Sequence, residues 1–96
     1  STAGPAPSPS VVALGTGGFV KLTNKPQIPV VLETVSRQGR TQAVWSVLNL
    51  GGSDLGKAQA ALSKNIGTVF TVTTTDGNKV LRIRAKWDGF VFVPVA

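Results

Sequence analysis

The sharpest pattern in the chain is the alternation in residues 79–87, Lys-Val-Leu-Arg-Ile-Arg-Ala-Lys-Trp. Side chains on a strand point alternately to opposite faces, so Leu81, Ile83, Ala85 and Trp87 share one face while Val80, Arg82, Arg84 and Lys86 share the other. The first set reads as core. The second is a cationic row with no acidic residue in it. Two Asp-Gly pairs extend the strand into a meander. Closing Asp76-Gly77 as a two-residue turn sets Val72 opposite Leu81 and Phe70 opposite Ile83, leaving Thr71 and Thr73 beside Arg82 and Val80. Closing Asp88-Gly89 in the same way sets Trp87 against Phe90 and Ala85 against Phe92. Both turns agree on which face is core, and they put Phe70, Trp87, Phe90 and Phe92 all inside.

Upstream, residues 30–37 and 40–50 form the longest hairpin, bent at Gln38-Gly39. A two-residue loop there places Leu32 opposite Trp45 and Val30 opposite Val47, with Glu33 and Val35 facing Val44 and Gln42. Both faces carry apolar residues, as expected inside a two-layer structure or beneath another subunit. The face taken by Trp45 depends on this register, since a one-residue slip exchanges the two sides. Residues 11–14 and 19–23 read as two short strands around Gly15-Thr16-Gly17-Gly18. That glycine run has the composition of a phosphate-cradling loop, but such a loop leads into a helix, and Phe19-Val20-Lys21-Leu22 is strand-like. Residues 24–27 are a turn by composition, and Pro29 argues against a central strand position.

One helix is expected, over residues 54–64, with Ser53 or Asp54 as its N-cap. Leu55, Ala58 and Leu62 form its apolar stripe, continued by Ile66, while Lys57 and Lys64 project from other faces. Asn65 and Gly67 end it. Residues 1–10 hold three prolines and nothing large and apolar, so they read as an extended arm that docks on a neighbour, ahead of a single domain spanning 11–96. The chain opens on Ser1 and contains no methionine, as expected after removal of an initiator methionine or a leader. These elements add up to a mostly β, antiparallel fold of about seven strands with one short helix, a sandwich or small barrel. An OB-like barrel, which also inserts a helix between meandering strands, is the nearest named form.

Composition then narrows the function. Ninety-six residues make one modest core. Charged residues are only 15% of the chain, a low share for the surface of a monomer, and burial between subunits would account for it. Within that small share Lys and Arg number ten against four acids, a net +6 that favours polyanionic partners. The absence of cysteine excludes disulfides and thiolate metal sites, and no run is long enough to span a membrane.

Catalysis has little to draw on. There is no histidine or cysteine, Asp76 and Asp88 read as turn residues, Asp54 starts the helix, and Glu33 stands alone in a strand. Ser63 and Lys64 are neighbours whose side chains diverge on a helix, so they form no dyad. The chain therefore reads as a non-enzyme with no cofactor, metal or small-molecule substrate. What remains is the cationic row, with Arg82, Arg84 and Lys86 as phosphate contacts, helped by Lys79 and by Arg37 and Arg40 at the other turn. Thr71 and Thr73 offer hydroxyl donors beside it. With no tyrosine in the chain and the large aromatics assigned to the core, base stacking is poorly supplied.

Residues 31–50, with Arg37-Gln38-Gly39 at the bend and Trp45-Ser46-Val47-Leu48-Asn49-Leu50 after it, resemble the central β-hairpin of single-stranded RNA phage coat proteins. Those coats end in two helices that clasp a dimer, whereas this chain ends in a meander of strands. The same bend is similar to that of filamentous-phage single-stranded DNA-binding proteins, whose stacking tyrosines have no counterpart here. The coat resemblance implies an assembly protein: a small viral coat or capsid-associated protein of the virion, forming a homo-oligomer or larger assembly. The competing expectation is a nucleic-acid-binding module of OB-like form. A secreted or periplasmic interaction domain tethered by the arm is the third.

Overall fold

The computed structural model describes residues 12–25, 27–48 and 52–96, and of residues 52–55 the backbone only. The arm expected at 1–10, the N-cap at Ser53 or Asp54 and the packing of Leu55 lie outside the described residues. Six strands and one helix follow in the order β1 (Gly17–Val20), β2 (Ile28–Arg37), β3 (Arg40–Val47), α1 (Gly52–Ser63), β4 (Val69–Asp76), β5 (Lys79–Trp87) and β6 (Phe92–Pro94). All pairings are antiparallel, and the sheet closes as a barrel in the order β1-β2-β3-β6-β5-β4. Closure rests on short pairings on either side of β6, a single bridge from Trp45 to Phe92 and three residue pairs with β5.

The β2–β3 register is the one expected, with Leu32 opposite Trp45 and Val30 opposite Val47. Gln38 and Gly39 both take positive φ, at 54° and 74°, the turn whose twist matches a two-residue hairpin. Trp45 is thereby inside and fully buried. It lies in the core cluster with Val20, Ile28, Val30, Leu32, Val72, Ala85, Trp87 and Phe92. Phe92 sits at the aromatic centre, its ring 4.8 Å from Trp87 and edge-on to Phe70 at 5.7 Å. Ala58 and Leu62 bury the inner stripe of α1 against this cluster. The helix lies across the end of the barrel where β1, β3 and β5 finish and β2 and β4 begin.

Several expectations are corrected. The strand expected at 11–14 does not form over its described residues. Thr16 instead closes a turn onto the Ala13 carbonyl, and Gly15 and Thr16 exchange backbone hydrogen bonds with Leu32, so six strands stand in place of about seven. Pro29 lies within β2, opposite Phe19 of β1. It is tolerated because its imide nitrogen faces the β3 side where β3 has already ended, and its carbonyl accepts the Leu48 N–H there. Both meander hairpins are shifted by two residues, which preserves faces. Asp76 pairs with Lys79, so the turn is Gly77-Asn78, with the positive φ of 63° on the leading glycine. Phe92, not Phe90, stands opposite Trp87, because Asp88 organises a four-residue loop. Phe90 is expelled to 81% exposure, and Ile66, beyond the end of α1, to 63%.

Candidate nucleic-acid interface

The cationic row is on the outside of the barrel as its alternation requires: Arg82, Arg84 and Lys86 are exposed, while Ile83, Ala85 and Trp87 between them are buried. Successive members are two residues apart, about 6.7 Å along the strand. Register fixes their neighbours. Thr73 lies opposite Arg82 and Thr71 opposite Arg84, so each guanidinium rises beside a hydroxyl, and Lys86 stands between Val69 and Val93. Lys79 is at the far end of β5, opposite Asp76, and has the opposite pleat parity from the row. It extends the cationic edge without belonging to the face.

Arg37 and Arg40 are elsewhere. They face each other at the tip of the β2–β3 hairpin, across β6 from the row. Arg37 is committed to Asp88, with its Nη1 donating to Oδ2 at 2.5 Å. The other oxygen of Asp88 accepts the N–H groups of Phe90 at 2.8 Å and Val91 at 2.9 Å. Partial burial of the Asp88 carboxyl pushes its pKa up, but these two N–H donors together with the Arg37 guanidinium outweigh it and hold the group below its ordinary value. This ion pair locks the β5–β6 loop to the hairpin tip. It makes Arg37 a structural residue first.

Two groups on the same surface escape the alternation of β5. Phe19 is half exposed, at 49%, on the outer side of β1, and the register runs Phe19, Thr73, Arg82 across three strands. Lys21 follows it on the same face, since Val20 and Leu22 between and beyond are buried. One step past the end of β1, Lys21 comes level with Thr71 and Arg84. The signal was present in Phe19-Val20-Lys21-Leu22, where burying Val20 and Leu22 exposes Phe19 and Lys21. Among the described residues the outer face of β1, β4 and β5 carries no carboxylate between Phe19 and Lys86.

At the barrel end this face leads into a cleft bounded by α1 and the β1–β2 connection. Lys21 and Lys25 line one side, Lys57 and Lys64 the other, with Asn65 and Phe70 at its base. Chemically the surface offers fixed cations, hydroxyl donors and one accessible ring. No group of His, Cys, Asp or Glu able to hold a metal is found among the described residues. No protein-family model, curated protein or solved structure matches this chain.

Proposed function

We propose that this chain is a non-enzymatic nucleic-acid-binding barrel that grips phosphate backbone along the outer face of β5. The observation that carries the reading is the row Arg82, Arg84, Lys86, each exposed, flanked by Thr71 and Thr73 and facing no described carboxylate. Guanidinium and hydroxyl donors at a regular spacing suit a repeating anion, and nothing on the face is arranged to read base edges. Binding should therefore be tolerant of sequence and strongly dependent on salt.

The test is fluorescence anisotropy of labelled oligonucleotides across a salt series. In R82Q/R84Q/K86Q the log-log slope should flatten by about 2 to 3 units, since each lost contact releases about 0.7 counterions on single strands and about 0.9 on duplex. Equal affinity and equal salt dependence in the variant and the parent would refute the reading.

A second reading, an assembly protein such as a small viral coat, is favoured by a different observation. Leu48, Ile66 and Phe90 are 43%, 63% and 81% exposed, and all line one groove between α1, the end of β3 and the β5–β6 loop. An apolar groove of this kind is a common site of self-association. Sedimentation tests it: F90S should lower the association state of the parent, and a parent that stays monomeric at high concentration removes the reading.

A further inference from the structure

We infer that the binding track does not end at β5 but turns past Phe19 and Lys21 into the four-lysine cleft beside α1, and that its ligand is a single strand. This rests on the reading of the β5 face as a phosphate surface. Three observations extend it. Lys57 within α1 and Lys64, the first residue after it, line the same side of the cleft. Ala60 and Ala61 between them keep that side low. Lys21 and Lys25 come from the other wall, so cations from two separate segments converge on one concavity with no described carboxylate lining it.

Lys21 belongs both to the cleft and to the outer face, level with Thr71 and Arg84, so the two cationic areas are continuous. Phe19 marks the junction. Its ring is presented between Lys21, two residues on and just past the end of β1, and Arg82, two strands away through Thr73. Strands stand about 4.8 Å apart, so Phe19 and Arg82 are separated by about 10 Å, a span that one nucleotide bridges from base to phosphate once the long arginine side chain is counted. A half-exposed ring at this place can stack an unpaired base. A duplex, with its bases already stacked on one another, gains nothing from it.

The geometry predicts a footprint longer than the β5 row alone. Oligothymidylates of about 4 and about 12 nucleotides, within the range of site sizes for small barrels, separate the two parts. The probe variant is K25Q/K57Q/K64Q, which spares Lys21. Its salt slope for the long strand should fall by about 2 units, three contacts at about 0.7 each, while its affinity for the short strand should match the parent. A blunt duplex of the long length should bind the parent more weakly than the single strand does, and F19L should remove most of that difference.

If R82Q/R84Q/K86Q loses binding of both lengths while K25Q/K57Q/K64Q changes neither, the β5 reading stands and the track is overturned. If the β5 variant also changes nothing, the reading itself falls. Equal weakening of short and long strands in the cleft variant would mean that the lysines act only through net charge, and this overturns the track as well. Tighter binding of duplex than of single strand overturns the choice of ligand.

Discussion

Replacing Gly18 by alanine tests the closure on which the candidate surface depends. Gly18 is buried in β1 opposite Thr74 of β4, in the seam that turns the sheet into a barrel. A Cβ built there would lie 2.9 Å from the Thr73 carbonyl oxygen, 3.1 Å from Val72 Cγ1 and 3.3 Å from Thr74 Cβ. The nearest of these atoms is backbone and cannot rotate away, so relief requires β1 and β4 to separate. Overpacking of this kind costs about 1–3 kcal/mol. The lower chain entropy of unfolded alanine offsets about 0.4–1 kcal/mol of it. A net loss of about 1–2 kcal/mol lowers the melting midpoint of a domain this size by about 10 °C. Gly17 is the control, because its added Cβ would meet nothing closer than the Val30 carbonyl oxygen at 3.9 Å. Thermal denaturation followed by circular dichroism compares G18A, G17A and the parent. Equal midpoints for G18A and G17A would show the β1–β4 seam to be wider than its register, and would unseat Phe19 from its place beside Thr73.

Other expectations follow from the same geometry. Thr74, the one buried polar side chain among the described residues, donates to the Gly17 carbonyl at 2.5 Å. T74V keeps the shape and should cost about 1 kcal/mol in urea denaturation, and a neutral result would mean that water replaces the bond. Because the pKa of Asp88 is lowered by folding, its contribution is fully present above its ordinary value of 3.8 and is lost as pH falls through the folded value. D88N should therefore be less stable than the parent by about 0.5–1 kcal/mol at neutral pH, and the gap should close as pH falls below the folded value. A gap that persists in acid would assign the effect to packing. Gly56 lies within α1 with open space where a Cβ would go, so G56A should stabilise the fold by about 0.8–1 kcal/mol. A loss on the same substitution would mean that this side of the helix is covered.

Much of the barrel is legible from alternation because strand faces survive errors of register. The pairings expected from the Asp-Gly turns differ by two residues from those found at both ends of β5, yet Ile83, Ala85 and Trp87 are buried and Arg82, Arg84 and Lys86 exposed, since a shift of two restores the same side. Phe90 lies outside for a reason that alternation does not contain. The Asp88 carboxylate captures the N–H groups of Phe90 and Val91, lengthens the loop and ejects the ring. Ile66 leaves the expected apolar stripe because the helix ends at Ser63 and helical spacing does not reach it. The cleft could be read only in halves. The expected helix keeps Lys57 and Lys64 off its apolar stripe, but no local pattern says that they face Lys21 and Lys25. That fact is a property of how α1 lies across the barrel end.

The charge layout gives the strongest argument that the cationic surface exists for a ligand. Acids could have been interleaved with the cations, and the described ones are placed off the β5 face: Glu33 accepts from Ser46, Asp88 is held by Arg37 and its own loop, and Asp76 stands at a turn opposite Lys79. Arg82, Arg84 and Lys86 carry like charges on alternate residues of one strand, and their mutual repulsion is small in water and screened further by salt. A face turned only to solvent would gain by carrying Gln or Thr instead. If the row is kept for binding, R82Q/R84Q/K86Q should melt no lower than the parent, and slightly higher at low salt, where repulsion is least screened. A variant that loses stability would assign the row a structural role and remove the reason for reading it as a site. A variant that gains stability while losing affinity for nucleic acid would place the cost and the function on the same three residues.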